Sequence, residues 1–281
     1  MLSYRHAFHA GNHADVLKHF LCVELLRHLL LKDEPFSVID THAGAGIYDL
    51  TSGYATQLAE YRDGIGRLWL RRDLPAALDD YMRLVRLLNP DGALRHYPGS
   101  PRLAMAMLRS QDRLRLFELH GKECRLLQET CAGFGRQVRV EAGDGYAGLR
   151  ALLPPPPRRG LILIDPAYEE KSDYRRVLDV LQDSLGRFAT GIYALWYPVL
   201  QKRESLALPD KLKQLAGERW LNVVLTVRHI ETGDFGMAGS GMFVINPPWH
   251  LPQLLADTMP YLAHTLAQDD SAGFKLESEG C

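Results

Sequence analysis

Acidic side chains that can bind a polar ligand stand at the ends of strand-like runs in this sequence. Asp40 ends the first run, Glu118 ends the second, Asp144 follows the third, and Asp165 ends the fourth. Carboxylates at such positions can accept hydrogen bonds from the hydroxyls of a ribose or from the amino group of a base. Each acid alone is common in α/β proteins, but four at equivalent positions favour a ligand that contains adenosine.

The elements that must hold these acids are strands that alternate with helices. This alternation favours an α/β fold, with a Rossmann-like doubly wound sheet and a mostly parallel core. The segment between the last two runs is too short for a crossover helix, so we expect an antiparallel hairpin at the sheet edge. The strand-like runs span residues 36–40, 114–118, 137–141, 160–165, 191–198, 222–230 and 241–246.

The gap between the first and second strands is too long for a simple crossover. The first run ends at Asp40 and the second begins at Leu114, whereas a complete βαβ unit takes roughly 30 residues. The intervening residues have helical patterning, as in AALDDYMRLVRLL. We therefore predict a main domain of residues 1–48 and 98–270, a helical subdomain inserted at 49–97, and a flexible tail at 271–281.

Composition excludes several classes of protein and identifies none. The 281 residues are 46% hydrophobic and 24% charged, as expected of one large globular domain. No apolar run approaches the roughly 20 residues that cross a bilayer, and the N-terminus lacks the apolar core of a signal peptide. Four cysteines without a CxxC pair predict reduced thiols in the cytoplasm, with no disulfide framework and no zinc site. With a net charge of −1, any binding of nucleic acid must depend on local basic patches.

The turn of small residues after the first strand distinguishes between adenosine-containing cofactors. After Gly44 and Gly46, Asp49 occupies the position of the third glycine in a dinucleotide fingerprint, and there is no P-loop lysine. Asp40 would repel phosphates but suits a cationic ligand without phosphate. S-adenosylmethionine, which carries a sulfonium, an ammonium group and a ribose, therefore fits better than NAD, which stays a weaker alternative.

Longer blocks of the sequence resemble one enzyme family. They run from Ser3 to Trp249 and are SYRHAFHAGNHADVLKH, IDTHAGAG, YPGSP, RRGLILIDPAYE, FATGIYALWYP and INPPW. In these blocks the chain resembles the bacterial large-subunit (23S) ribosomal RNA adenine-N6 methyltransferases of class I. The resemblance implies a methyltransferase domain with a helical insertion, S-adenosylmethionine as the cofactor, and methyl transfer to the N6 amine of a specific adenine. We further expect a monomer without membrane or metal that modifies the RNA before the ribosome is fully assembled.

The resemblance also implies roles for individual residues. Asp165 and the Pro166 carbonyl would accept hydrogen bonds from both N–H groups of the adenine amine and direct its lone pair at the methyl group. Asp165 would also receive the departing proton, and Tyr168 would stack on the flipped-out base. The cofactor contacts implied by the family fall on His19, His42, Ser100, Glu118, Asp144, Gly145 and Asp165.

The histidine-rich N-terminal segment has two interpretations. A metal site is disfavoured because Gly11 interrupts the helix that would align the histidines. The preferred interpretation is a polar lid over the cofactor and the target nucleotide, formed by Tyr4, His6 and Lys18. Lys18 and Arg5 can also contact RNA phosphates.

The proposed catalytic motif departs from the family pattern at one position. Where the family has a second proline, this chain has Ala167, which keeps the backbone carbonyl but leaves the turn less rigid. A closer copy of the pattern, Asn246-Pro247-Pro248-Trp249, follows the final strand, away from the acids listed above. We predict that the motif at Asp165 is the active one and that the second copy only stops the chain before the last helix.

Other functions stay open at this point. The Asp-Pro-x-Tyr pattern alone also suits a DNA adenine methyltransferase, whereas a protein glutamine methyltransferase would more often begin the motif with asparagine. Because of Ala167, an RNA-binding protein with weakened or no catalysis is a further alternative.

The arginines of the inserted segment are candidates for contacts to RNA. We expect most of them to form ion pairs on a solvated face rather than a continuous basic stripe. Arg158 and Arg159, before the fourth strand, can either reach phosphate or extend along the surface. The first candidates for substrate contacts are Arg62, Arg67, Arg71 and Arg72.

Overall fold

The computed structural model describes residues 5–51, 53–229 and 236–281. Its centre is an eight-stranded sheet with the strand order β10-β8-β9-β7-β6-β1-β4-β5, and a separate two-stranded sheet pairs β2 with β3. The strands are β1 (Ser37–Asp40), β2 (Ile47–Asp49), β3 (His96–Pro98), β4 (Arg113–Glu118), β5 (Val138–Ala142), β6 (Gly160–Ile164), β7 (Ile192–Val199), β8 (Trp220–Thr226), β9 (Gly239–Ile245) and β10 (Gly273–Glu279). The predicted α/β fold is therefore confirmed.

Helices cover both faces of the sheet. They are α1 (His13–Leu30), α2 (Ala55–Leu58), α3 (Ile65–Trp69), α4 (Ala76–Leu87), α5 (Ser100–Met107), α6 (Gly121–Thr130), α7 (Gly145–Leu152), α8 (Lys171–Arg187), α9 (Arg203–Ala216) and α10 (Leu251–Leu266). One hydrophobic core joins the sheet to α1, α5 and α10, and a second joins its other face to α7, α8 and α9. The alternation of side chains along the strands supplies both cores, since Leu161 and Leu163 face the first and Ile162 and Ile164 the second.

The parallel part of the sheet brings the predicted acids to one edge. β1 pairs in parallel with β4 on one side and with β6 on the other, and β4 pairs in parallel with β5. Chain order reverses between β1 and β6, which makes their carboxyl ends the topological switch point where ligands of such sheets bind. Asp40 ends β1, Glu118 ends β4, and Asp165 directly follows β6.

The C-terminal edge of the sheet differs from the prediction in two respects. β8 and β9 form the predicted antiparallel pair, but β10 pairs with the other side of β8, so this pair is not itself at the edge of the sheet. The tail predicted to be flexible forms β10, which pairs with β8 from Gly273 opposite Thr226 to Glu279 opposite Trp220. Every side chain of β10 is exposed or half-buried, because the strand lies at the edge of the sheet and buries neither face. Its sequence therefore lacks the apolar alternation that identifies a strand, and its charged residues are typical of an edge strand. The predicted strand at 222–230 ends earlier, at Thr226, and residue 230 lies outside the described residues.

The inserted segment is helical, as its patterning indicated, but it begins and ends in strands. β2 and β3 form an antiparallel pair in which Tyr48 lies opposite Tyr97. These strands have three residues each, too short for a periodic pattern to show. Helices α2, α3 and α4 lie between them, and the buried side chains of Tyr81 and Met82 in α4 join the core that contains α1.

Helix α1 is buried on nearly all sides, which explains its unusual sequence. Asn12 caps the helix, because its side chain accepts hydrogen bonds from the backbone N–H groups of Ala14 and Asp15, both at 3.0 Å. Polar residues of the first turns, including Asp15 and Lys18, are as buried as the leucines that follow. Buried charges need partners, and those partners are in the candidate site.

Candidate active site

A cavity of about 200 Å³ opens at the carboxyl ends of β1, β4 and β6. Its walls come from the turn after β1, the start of α5, the loop after β4, the start of α7 and the loop after β6. Every residue predicted to contact the cofactor lines this one cavity: His19, His42, Ser100, Glu118, Asp144, Gly145 and Asp165. The structure therefore brings these seven residues together, and their individual roles stay predictions.

The turn after β1 is held against the end of β4 by Glu118. Its two carboxylate oxygens accept hydrogen bonds from the backbone N–H groups of Gly44, at 2.8 Å, and His120, at 2.7 Å. Burial raises the pKa of Glu118 above its ordinary value. Gly44 has a φ of +62°, and a Cβ there would lie 2.1 Å from the Tyr48 hydroxyl oxygen, so the turn requires glycine. Each carboxylate oxygen keeps a second lone pair for a ligand hydroxyl.

The start of α7 approaches the end of β1 very closely. Asp144 caps α7 by accepting a hydrogen bond from the Tyr146 backbone N–H at 3.0 Å, and its carboxylate also pairs with Arg176. A Cβ on Gly145 would lie 2.1 Å from the carbonyl oxygen of Thr41. The absence of a side chain at Gly145 therefore lets the two cavity walls meet.

Asp40 does not line the cavity itself but accepts hydrogen bonds from two residues that do. Its carboxylate accepts hydrogen bonds from the Ser100 hydroxyl at 2.7 Å and from the His42 backbone N–H at 3.1 Å. Asp40 is 2% exposed, and burial raises its pKa to about 6. These bonds tie the start of α5 and the turn after β1 to the end of β1.

Two histidines of the cavity, His19 and His42, are neutral at physiological pH. His19 shares a hydrogen bond of 2.8 Å with the Tyr97 hydroxyl, and burial lowers its pKa to about 3. His42 shares one of 2.8 Å with the Thr41 hydroxyl, and burial lowers its pKa to about 4. Both imidazoles therefore offer hydrogen-bonding groups rather than positive charge to a ligand.

A chain of polar side-chain contacts leads from the N-terminal segment to Asp165. The Lys18 ammonium contacts Asp165 Oδ2 at 2.5 Å and Asp15 Oδ1 at 2.8 Å, and Asp15 Oδ2 contacts His6 Nε2 at 2.9 Å. Burial alone would lower the pKa of Lys18, but the two carboxylates hold it above its ordinary value. Burial would likewise raise the pKa of Asp15, but His6 and Lys18 hold it well below its ordinary value.

This position of Lys18 corrects one prediction and supports another. Lys18 is 4% exposed and neutralised by two carboxylates, so it is not a contact for RNA phosphates. It does line the cavity together with His6, as the lid interpretation required. Tyr4, the third predicted member of the lid, lies outside the described residues.

A second cavity of about 580 Å³ meets the first at Asp165. Its walls come from residues 6–18, the short turn around Glu60, the end of β7, and Arg228. The two cavities share a small set of lining residues: His6, Lys18, Asp165, Ala167 and Trp196. Asp165 therefore lies where the two cavities meet, and its carboxylate can contact a ligand in each of them.

Tyr168 does not occupy the position expected of a base-stacking ring. It is 3% exposed, its hydroxyl donates a hydrogen bond to the Trp196 carbonyl at 3.0 Å, and its ring packs against Tyr174. Its φ of +51° is unusual for a residue with a side chain and turns the ring into the core. In this structure Tyr168 anchors the loop after β6 to β7, and Trp196 is the aromatic residue of that region that lines both cavities.

The second copy of the motif has a structural role in this fold. The Asn246 side chain donates hydrogen bonds to the carbonyls of Ala189 and Gly191, at 2.7 and 2.8 Å. Trp249 is 76% exposed, and α10 begins at Leu251. None of the four residues Asn246 to Trp249 lines either cavity described above, in agreement with the prediction of a stop before the last helix.

Among the arginines predicted to contact RNA, half are already paired. Arg67 forms an ion pair with Asp63 at 2.7 Å, and Arg71 forms one with Asp73 at 2.6 Å. Arg62 and Arg72 are exposed and form no ion pair within the described ranges, so they stay candidates. Arg159 donates hydrogen bonds to the carbonyls of Glu34 and Leu29, which gives it a structural role.

Several residues of the site had no clear signal in the sequence. In the sequence Asp15 looked like a residue that interacts with the helix dipole, although in the structure its carboxylate pairs with Lys18 and contacts His6. Trp196 looked like a core residue of a strand, although it lines both cavities. The signal that could have identified Trp196 is its position in β7, the strand that follows the Asp165 motif.

Within residues 5–51, 53–229 and 236–281, no group of three or more His, Cys, Asp or Glu side chains is arranged to hold a metal ion. No helix in the same ranges combines the length and apolarity needed to cross a bilayer. The four cysteines are unpaired thiols, and only Cys281 is exposed.

Comparison with known proteins identifies relatives along almost the whole chain. Residues 33–277 match the family described as Ribosomal RNA large subunit methyltransferase D, RlmJ. A protein of Escherichia coli (strain K12) named Ribosomal RNA large subunit methyltransferase J is 48% identical over 262 residues, which cover 93% of each chain. The protein of the same name from Haemophilus influenzae is 42% identical over 278 residues, 99% of this chain and 98% of the relative.

A solved structure shows the same fold. The crystal structure of protein LPL1258 from Legionella pneumophila superposes with a TM-score of 0.89 at 37% sequence identity. The superposition covers 97% of this chain and 99% of that one. The sheet, the inserted segment and the C-terminal strand therefore belong to a fold that has been observed experimentally.

Proposed function

Because the chain belongs to the family of ribosomal RNA large subunit methyltransferases called RlmJ, we propose a reaction for the site described above. The protein transfers a methyl group from S-adenosylmethionine to the N6 amine of a specific adenine in large-subunit (23S) ribosomal RNA. The observation that carries this proposal is the position of Asp165 at the junction of two cavities. One cavity suits the cofactor, and the other gives the target base access to the same carboxylate.

The residues of the first cavity fit S-adenosylmethionine. Glu118 offers a carboxylate for the two ribose hydroxyls, and Asp144 offers one for the adenine amine. Gly44 and Gly145 stand where a side chain would collide with the cavity wall. No lysine or arginine in this wall is free to bind a phosphate, since Lys18 and Arg176 are paired with acids. The cofactor, when bound, supplies an electrophilic methyl group on its sulfonium.

Asp165 can hold the amine that attacks this methyl group. Lys18 engages Oδ2, and Asp165 Oδ1 has no hydrogen bond to any described residue, so Oδ1 is available to a substrate N–H. The carbonyl of Pro166, which also lines the first cavity, supplies a second acceptor. Two acceptors on the two N–H groups direct the nitrogen lone pair at the methyl carbon. When the methyl group moves from the sulfonium to the nitrogen, the S–C bond breaks, a neutral thioether is left, and the surplus proton of the amine can pass to Asp165 Oδ1.

Lys18 keeps this carboxylate in place without taking part in the transfer. Its raised pKa means that it stays positively charged and does not act as a base at neutral pH. Asp15 balances its second side, which fixes the ammonium between two carboxylates. His6, at the other end of this chain of contacts, lines both cavities and can contact either ligand.

Ala167 does not remove any of these groups. It lies on the wall of both cavities, between the Pro166 carbonyl and the anchored Tyr168. The bond from the Tyr168 hydroxyl to Trp196 restrains the loop where the family has a second proline. This supports catalysis over the alternative of an RNA-binding protein without activity.

The test is transfer of a labelled methyl group by the purified protein. Labelled S-adenosylmethionine is offered with protein-free large-subunit RNA, with DNA and with a protein fraction in parallel. We expect label in RNA alone, at least 100-fold less transfer by Asp165→Ala, and wild-type transfer by the control Asp179→Ala, whose side chain is 67% exposed on α8. Label in DNA or protein, or undiminished transfer by Asp165→Ala, would overturn the proposal. The expectations of a monomer, of a cytoplasmic location and of action before ribosome assembly is complete stay predictions.

A further inference from the structure

The cations around the two cavities differ in whether a carboxylate neutralises them. An RNA phosphate gains most from a cation that is not already paired, because a paired cation must first give up its carboxylate. Many arginines of the inserted segment are paired, which removes them as strong phosphate contacts. The pairs are Arg67 with Asp63, Arg71 with Asp73, Arg83 with Asp79, Arg86 with Asp79, and Arg95 with Asp91.

Arg5 and Lys122 differ from these paired arginines because, among the described residues, both contact an aromatic ring instead of a carboxylate. The Arg5 guanidinium lies 5.1 Å from the centroid of the Tyr54 ring and donates a hydrogen bond to the Tyr54 hydroxyl. The Lys122 ammonium lies 5.6 Å from the same centroid. In the part of the chain that the structure describes, neither cation forms an ion pair with a carboxylate.

The Tyr54 cluster, defined as Arg5, Tyr54 and Lys122, lies beside the site. Arg5 directly precedes His6, which lines both cavities, and Lys122 directly precedes Glu123, which lines the cofactor cavity. The Phe8 ring, whose centroid is 4.6 Å from that of Tyr54, joins the N-terminal segment to the insertion. Three separate segments of the chain thus bring two unneutralised positive charges to the edge of the cavities.

We propose that the Tyr54 cluster binds the sugar-phosphate backbone of the RNA next to the target adenosine. The inference rests on the proposed function and adds the contact by which a protein of net charge −1 holds a polyanion. The cluster extends the prediction for Arg5 to two residues that the sequence did not mark. Attraction to the ring keeps both cations directed while leaving their charge available to phosphate.

The test is the salt dependence of RNA binding by the double variant Arg5→Gln/Lys122→Gln. Binding of the purified full chain to a fragment of large-subunit RNA is measured over a series of salt concentrations. Each lost phosphate contact on a single strand should reduce the slope of log K against log salt by about 0.7, hence about 1.4 for two. We also expect roughly tenfold weaker binding of RNA at low salt, with unchanged affinity for S-adenosylmethionine.

The matched control is Arg83→Gln, which removes an exposed arginine of the same inserted segment that is already paired. It should leave the slope unchanged. An unaltered slope and affinity in the double variant would overturn the inference, as would a loss of cofactor affinity equal to the loss of RNA affinity. If the wild-type protein transfers no methyl group to RNA, the proposed function fails instead, independently of the slopes.

Discussion

The ammonium of Lys18 lies 2.5 Å from Oδ2 of Asp165, and both side chains are largely withdrawn from water. The pair joins the first α-helix of the chain to the loop after β6, between positions 147 residues apart in the sequence. Asp15 neutralises the other side of Lys18 at 2.8 Å. Removing the Lys18 ammonium would leave two carboxylates close together in a buried site. This is far more destabilising than replacing the whole ion pair by apolar residues.

Lys18→Met is therefore expected to damage both stability and catalysis. We expect the free energy of unfolding to fall by roughly 3 kcal/mol or more and kcat to fall by at least about 100-fold, because Asp165 loses its fixed orientation. Urea unfolding and methyl transfer to RNA measure the two effects. The matched control is Lys211→Met on the exposed side of α9, which should change neither. Wild-type kcat in folded Lys18→Met would contradict the role given to this pair.

Gly145→Ala tests the close contact that closes the cofactor cavity. A Cβ at this position would lie 2.1 Å from the Thr41 carbonyl oxygen, so the start of α7 must move away from β1. We expect at least tenfold weaker binding of S-adenosylmethionine, measured by calorimetry. Gly186→Ala on α8 is the control, since nothing lies within 4 Å of its added Cβ, and it should be neutral or slightly stabilising. Equal cofactor affinity in Gly145→Ala and the wild type would show that the contact is not needed.

The raised pKa of Asp40 predicts how the free energy of unfolding changes with pH. Its pKa is about 6 in the folded protein and 3.8 as the ordinary value, so the folded state holds this proton more tightly. The contribution of Asp40 to stability is therefore fully present below about pH 4 and is lost as the pH rises through 6, by on the order of 3 kcal/mol. In Asp40→Asn this loss should be absent. The measurement is the difference in unfolding free energy between wild type and variant from pH 4 to 7, and a constant difference would contradict the prediction.

Removal of β10 tests whether the C-terminal residues stabilise the sheet as an ordered strand. A chain that ends at Ala272 lacks the strand that covers β8, together with the hydrogen bond from the Trp220 indole to Glu279 at 3.1 Å. We expect a loss of roughly 2 kcal/mol or more in unfolding free energy and a tendency to aggregate through the uncovered edge. A chain that lacks only Cys281 should behave like the wild type. If both truncated chains are equally stable, the C-terminal residues are the flexible tail that their sequence suggested.

The residues of the site were more predictable than the contacts among them. Glu118, Asp144 and Asp165 follow strands, and the topology of a parallel sheet brings strand ends together regardless of packing detail. The pairing of Lys18 with Asp165 could not be predicted, because it joins positions 147 residues apart whose side chains alone do not reveal a partner. Long-range pairs of this kind depend on how α1 is docked against the sheet.

The remaining errors have physical causes of the same sort. β10 was missed because an edge strand with two exposed faces carries no apolar alternation. The stacking of Tyr168 on the target base was predicted from its motif without its backbone conformation, and a φ of +51° turns the ring inward. Patterns in the sequence indicate which residues are buried and whether a segment is a helix or a strand. The position of a strand at the sheet edge and a left-handed backbone conformation depend on tertiary contacts instead.

The most direct test of the central claim is the identity of the methylated nucleoside. Protein-free large-subunit RNA is incubated with S-adenosylmethionine and the wild-type protein or Asp165→Ala, digested to nucleosides, and analysed by mass spectrometry against an N6-methyladenosine standard. The position of Asp165 between the two cavities predicts N6-methyladenosine as the product of the wild type and at least 100-fold less of it with Asp165→Ala. A methyl group on another base or another atom, or equal N6-methyladenosine from both proteins, would contradict the account.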